Sequence, residues 1–239
     1  LNSVDKVAGA QLVGGVWLPE TEVHFVKMMT QQHGKGAKNY REVDGKLTYQ
    51  YRKLEDACNR IPKERRRVAL DVGAHVGLWA MWLVREFQYV HCFEPIPLHG
   101  DLLSHNMPSD NYELHRVALG DKAGRVRIDV PPGVTGNAHV VPGAPNTDMV
   151  TLDSFQFDPS GFHMVDFIKI DVEGFELQVV QGAKATLLAH RPYMVLEQKG
   201  NDVKLMGSKV RNEALDWCKG IGMRAVHEIG GDWFLDWGV

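Results

Sequence analysis

From residue 68 onward, short β-branched runs alternate with longer stretches whose apolar residues recur every three or four positions. That alternation predicts a parallel sheet with helices on both faces. The runs RVALDV (67–72), YVHCF (89–93), YELHRVAL (112–119), DFIKID (166–171), YMVLEQ (193–198), RAVHEI (224–229) and DWFLDW (232–237) read as its strands. In FELQVVQGAKATLLAH, Leu177, Val180, Ala183 and Leu187 share one face, so this helix can lie on the sheet. Gly182 interrupts it. A glycine inside a helix costs roughly 1 kcal/mol relative to alanine, which marks close packing or a helix break there.

Two regions depart from the alternation. Residues 120–150 are rich in Gly, Pro and Asn and contain only the short runs RVRIDV and AHVV, which predicts irregular hairpins standing off the sheet near its ligand crevice. Residues 1–60 hold VWLPETEVHFVKMMT, running from strand to helix, and YQYRKLEDACNRI, with Tyr51, Leu54, Ala57 and Ile61 at helical spacing. They are expected to form an N-terminal cap over the sheet edge or crevice, followed by one main α/β domain over residues 61–239.

Composition narrows the function classes. A 239-residue chain that is 44% hydrophobic can bury one substantial core, and its net charge of −3 supplies no overall attraction to nucleic acid phosphates. The one basic cluster, KERRR at 63–67, reads as a solvated lead-in to a strand or as a phosphate or acidic-partner patch. Cys58, Cys92 and Cys218 are odd in number and form no CxxC pair, which favours a reducing compartment. No apolar run approaches the ~18 residues of a membrane span, and the opening LNSVDKVAGA lacks a signal-peptide pattern and reads as a trimmed terminus. The expectation is a soluble, cytoplasmic protein.

The candidate chemistry begins at ALDVGAHVG, residues 69–77. A phosphate-gripping P-loop needs GxxxxGK[ST], which the chain lacks, and the dinucleotide pattern GxGxxG lacks its middle glycine between Gly73 and Gly77. The remaining DxGxxxG suits S-adenosylmethionine. Asp71 can reach the ligand's ammonium group through water, and Gly73 lacks the Cβ that would collide with the ligand. Glycines after a buried strand can also be plain turn chemistry. The second strand supplies a check, because Glu94 stands 21 positions after Gly73 at a strand end, where an acid accepts both hydrogen bonds of a ribose diol, and Pro95 ends the ladder.

In DFIKIDVEGFE, Phe167, Lys169 and Asp171 point to one face of the strand. A lysine in mid-sheet needs a carboxylate partner, for which Asp171 or Glu197 is available. Glu173 and Glu176 open the following helix, where the helix dipole favours acids. The convergence of Lys169, Asp171 and Glu173 on one crevice points to chemistry rather than stability.

The segments ALDVGAHVGLWA, FEP, ALGD, FIKIDVEGFELQVVQGA and RPYMVLEQ, in this order, resemble the FkbM family of S-adenosylmethionine-dependent methyltransferases over about residues 68–200. The resemblance implies a doubly wound, Rossmann-like α/β fold whose seven-stranded sheet has its last strand antiparallel. It implies S-adenosylmethionine as cofactor and methylation of a hydroxyl oxygen, as in sugar and polyketide O-methylation. Asp71, Gly73, Gly77, Glu94 and Pro95, with Ala118 and Leu119 of ALGD, fall on cofactor motifs. Lys169, Asp171, Glu173 and Glu197 fall on the family's lysine and acid signature. His75 stands where the family more often has asparagine. It can bond the ligand carboxylate, reach the acceptor, or be a harmless polar loop residue.

DVPPG at 129–133 looks like the DPPY box of amino-methyltransferases, but it has an inserted Val130, lacks the aromatic and lies in the irregular region. The expected acceptor is therefore a hydroxyl on a sugar or other small polyol. Nucleic acid and membrane are not expected as partners. Asp171 or Glu173 is the expected base, oriented by Lys169. Two alternatives remain open. One is a metal-dependent O-methyltransferase holding Mg²⁺ on Asp171, Glu173 and Glu197, which Lys169 disfavours; the other is a non-catalytic S-adenosylmethionine- or partner-binding module.

Overall fold

The computed structural model describes residues 7–30, 41–157, 163–198, 212–229 and 231–238. Two hairpins come first, β1 (Ala10–Val13) with β2 (Val16–Pro19) and β3 (Arg41–Val43) with β4 (Lys46–Thr48); α1 (His24–Thr30) lies between them and α2 (Tyr51–Arg60) follows. Then β5 (Val68–Val72), α3 (Ala80–Glu86), β6 (Tyr89–Phe93), α4 (Pro97–Asn106) and β7 (Tyr112–His115) alternate as expected. The next stretch is all strand, β8 (Ala118–Leu119), β9 (Gly124–Asp129), β10 (His139–Val141) and β11 (Thr147–Val150). The chain returns through β12 (Val165–Ile170), α5 (Glu176–Gln181), α6 (Lys184–His190), β13 (Tyr193–Glu197), α7 (Glu213–Gly220), β14 (Arg224–Ile229) and β15 (Asp232–Asp236).

Seven strands form the central sheet in the order β14-β15-β13-β12-β5-β6-β7. The pairs from β13 to β7 are parallel, and β15 runs antiparallel to both neighbours. The expected architecture is present, including the antiparallel last strand. All five residues of β5 are buried, as a central strand covered on both faces requires. Leu70, Ile168 and Leu196 join α5 to α7 in one core cluster, while Ala69, Phe167 and Val195 join Trp79 and Leu83 in another.

YELHRVAL does not continue as one strand. Its first half is β7, at the edge of the central sheet, and Ala118–Leu119 leaves to pair with β11. The ladder ends because β6 gives way to Glu94 and Pro95, so the Glu94 N–H to His115 carbonyl bond at 3.0 Å is followed by a residue with no N–H to offer. Residues 118–150 form a separate four-stranded sheet, β10-β9-β11-β8.

The helix read from 175–190 is two helices, α5 and α6, broken at Gly182. A Cβ there would lie 1.9 Å from the Gly120 carbonyl oxygen, so the glycine permits close packing of the helix against the off-sheet segment. In KERRR, Lys63 and Glu64 are exposed as a solvated lead-in would be, but the three arginines are paired within the fold. Arg65 and Arg67 grip the buried Asp166 at 2.7 Å, and Arg66 pairs with Glu86, so the arginines direct their charge into the fold. The three cysteines are buried and free. Among the described residues no helix is long and apolar enough to cross a membrane.

Candidate active site

The parallel pairing of β12 with β5 sets Lys169 opposite Asp71. Lys169 Nζ lies 3.3 Å from Asp71 Oδ1 and 3.6 Å from Asp171 Oδ2, and it donates to the Gly73 carbonyl at 2.9 Å. The first partner of the buried lysine is therefore Asp71, with Asp171 second. Burial alone would lower the Lys169 pKa, but Asp71 and Asp171 outweigh it and hold the ammonium charged, 5.9 Å from the Trp79 ring centre. Burial pushes the Asp71 carboxyl up, and Lys169 opposes that. Glu197, one row further along on β13, is also buried, and a carboxylate oxygen of each of Asp171, Glu173 and Glu197 lies within 4.8 Å of the others.

After β5 the chain turns sharply. Gly73 has φ +77°, and a Cβ on it would sit 1.9 Å from the Asp171 carbonyl oxygen. The missing side chain thus clears the protein's own backbone rather than a ligand. Gly77 packs beneath α4, where a Cβ would meet Leu103 at 3.1 Å. Between them His75 adopts φ +50°, an uncommon conformation for a non-glycine residue, and its N–H donates to Glu94 Oε2 at 2.8 Å. Ile96 N–H donates to Glu94 Oε1 at 2.9 Å, so two backbone amides fix the carboxylate at the end of β6. Glu173, also left-handed at φ +52°, sits in a loop that Glu176 braces by accepting the Val172 and Gly174 N–H groups.

Two adjoining cavities open over these strand ends. The first, about 620 Å³, is lined by Glu94 and Pro95 with apolar walls from Val72, Phe93, Ala118, Leu119 and Phe175. The second, about 660 Å³, is lined by Lys169, Trp79, Gln50, Tyr49 and Phe25. Gly73, His75, Gly136, Asp171 and Glu173 line both. Of the twelve residues read as site candidates, Gly73, His75, Glu94, Pro95, Ala118, Leu119, Lys169, Asp171 and Glu173 face a cavity, whereas Asp71, Gly77 and Glu197 lie behind the walls.

A model of the methyltransferase FkbM domain matches residues 71–213, more than half of the sequence. The chain belongs to the FkbM methyltransferase family. A methyltransferase, sdnD, from Sordaria araneosa is 25% identical over 152 residues, a match covering 47% of this chain and 59% of that protein. The chain therefore spans less than two thirds of that relative's length. Among solved structures, the methyltransferase FkbM from Methylobacillus flagellatus is 18% identical with a TM-score of 0.47, over 72% of this chain and 43% of that one. A TehB-like SAM-dependent methyltransferase from Corynebacterium glutamicum is 12% identical with a TM-score of 0.41, over 77% and 83% of the two chains.

In this FkbM chain a further group of residues closes the site, and the sequence pattern did not reveal them. Glu22, which is buried, accepts the Phe25 N–H at 2.8 Å, and it accepts the Thr135 N–H at 2.7 Å and hydroxyl at 2.6 Å. Thr135 Oγ1 lies 3.0 Å from His75 Nε2. Because the hydroxyl proton is directed to Glu22, Thr135 accepts from His75, which places the ring proton on Nε2 and leaves Nδ1 an acceptor. Burial, aided by His99, lowers the His75 pKa and keeps the imidazole neutral. Lys53 on α2 reaches Asp232 on β15 at 2.6 Å, tying the N-terminal region to the sheet. These links join residues far apart in sequence, and no local periodicity encodes them.

Proposed function

We propose that this protein transfers a methyl group from S-adenosylmethionine to a hydroxyl oxygen on a sugar or other small polyol. The observation that carries the reading is the position of Asp171 and Glu173, whose residues line both cavities. A donor held in the first cavity and an acceptor held in the second would meet there. The apolar walls of the first cavity fit an adenosine, and Glu94, already fixed by two amides, keeps lone pairs for a ribose diol. S-Adenosylmethionine supplies an electrophilic methyl group on a sulfonium.

The chain's own residues supply position and proton transfer. The second cavity holds the acceptor oxygen beside the shared wall, which accounts for much of the acceleration expected in an in-line displacement. Asp171 or Glu173 takes the hydroxyl proton, and Lys169 orients Asp171 from 3.6 Å. Among the described residues of the N-terminal region, Phe25, Tyr49 and Gln50 cap the acceptor side.

A second reading rests on the three carboxylates of Asp171, Glu173 and Glu197, which converge within the reach of one divalent ion. Lys169 already offsets part of their charge, so the metal-free reading is favoured. The test is incubation with S-adenosylmethionine and a panel of polyols and saccharides, followed by mass spectrometry, with and without chelator. Methylated hydroxyls insensitive to chelator are expected. Label on nitrogen, or no transfer to any hydroxyl, would end the proposal, and chelator inhibition would move it to the metal-dependent form.

A further inference from the structure

On the sheet face opposite Asp71 and Lys169, the edge of the fold carries a second group of chemistry-bearing side chains. His91 on β6 and Glu113 on β7 are Cα partners across the parallel pair, and His115 stands two residues beyond Glu113, so all three project from one face. None of them lines either cavity of the candidate active site. His91 Nδ1 and His115 Nε2 lie 3.0 Å apart, and Glu113 Oε2 is 3.5 Å from the first and 3.9 Å from the second.

The centre of that triangle lies about 2.0 Å from each corner, and an ion raised slightly out of its plane toward solvent, as a tetrahedral ion must be, keeps distances close to the bond lengths of zinc to imidazole nitrogen and carboxylate oxygen. A shared N–H between the two rings would account for the His91–His115 approach alone. It leaves unexplained a carboxylate oxygen directed at both ring nitrogens. The surroundings also suit a metal ligand. His91 packs edge-on against Phe157 at 5.3 Å and His115 stacks on Phe93 at 4.7 Å, which fixes both rings.

We propose that His91, Glu113 and His115 form a site for a divalent first-row transition cation, with zinc as the best fit and water completing a tetrahedron on the solvent side. Two imidazoles and one carboxylate are the wrong donor set for magnesium or calcium, which take oxygen ligands, and the right one for zinc. Glu113 is half exposed and gives the ion a path from solvent. A bound ion would clasp the edge strand β7 to β6 one turn of the pleat below Glu94. It would therefore act on the stiffness of the cavity wall and take no part in methyl transfer.

Zinc is the probe. Metal-stripped protein titrated with Zn²⁺ in a calorimeter should bind one ion at this site, and anomalous diffraction at the zinc edge should place it between His91 Nδ1 and His115 Nε2. His115→Gln should weaken binding at least about tenfold, as loss of a metal ligand does. Glu113→Gln gives the same measurement from an exposed position should His115→Gln fail to fold. Two controls should bind zinc as the wild type does: His105→Gln, an exposed histidine on α4, and Glu173→Gln, which takes one carboxylate from the other cluster. An anomalous peak elsewhere, no binding by the wild type, or unchanged affinity in both ligand variants would overturn the assignment.

Discussion

Lys169 and Asp71 are Cα partners across the two central strands, and their charged atoms lie 3.3 Å apart with the Asp71 side chain wholly buried. An ion pair at that depth is dear to dismantle, because removing one member strands the other in a medium of low polarity. The same lysine reaches Asp171 at 3.6 Å and so connects the interior of the sheet to the cavity.

Lys169→Met should therefore do two things. It should lower stability by about 3–5 kcal/mol, the usual consequence of orphaning a buried charge, and it should reduce turnover. Adding Asp71→Asn to it should recover most of the stability and none of the turnover, since Asp171 still lacks its cation. Urea midpoints and kcat measured on the three proteins separate the effects. Wild-type stability in the single variant would show that Asp71 finds compensation elsewhere.

Glu94→Ala should weaken binding of S-adenosylmethionine and of its demethylated product more than tenfold, because a hydrogen bond to a charged acceptor is worth roughly 1.5–3 kcal/mol. It would also release the amides of His75 and Ile96, so Glu94→Gln, which keeps one acceptor oxygen, should lose less. Calorimetry decides this. Unchanged affinity, or a wild type that prefers NAD, would remove Glu94 from the cofactor site.

Asp171→Asn and Glu173→Gln preserve shape while removing a base. At least one should reduce turnover by about 10²-fold with cofactor affinity within a few-fold of wild type. Full activity in both would exclude carboxylate-assisted deprotonation of the acceptor.

The fold was legible because its signals are local and periodic. Most strands of the central sheet announce themselves as short β-branched or aromatic apolar runs, and Gly182 marked the helix break where a Cβ would strike the Gly120 carbonyl. The candidate site was legible where a motif lies at a strand end, as with Glu94 and Asp171. Lys169's partner was harder, because Asp71 becomes adjacent only through a pairing register that skips 98 residues of chain. Glu22, Gln50 and Thr135 gave no signal at all, since each acts through one long-range hydrogen bond or a few. The pairing of the KERRR arginines was hidden for the same reason: the acidic partner of Arg65 and Arg67, Asp166, stands on another strand.

Glu176 makes stability depend on pH. Burial raises its carboxyl from an ordinary 4.5 to about 7, against the pull of the amides it accepts. The folded state thus prefers the protonated form, and that contribution is complete below about pH 4.5 and lost as pH rises through about 7. Glu176→Gln should flatten the fall in stability between pH 5 and pH 8, as read by urea unfolding at each pH. An unaltered slope would mean that Glu176 ionises normally.

The contacts of Glu22 set a kinetic condition on the site. Its carboxylate holds an amide three residues away and both donors of Thr135, 113 residues away, and Thr135 in turn meets His75 in the wall between the cavities. Parting the N-terminal segment from the off-sheet hairpins would rupture those bonds together, because they share one carboxylate. Hydrogen–deuterium exchange at the Thr135 amide consequently serves as a clock for how often this wall of the cavity opens, and a ligand seated across the wall would slow that clock.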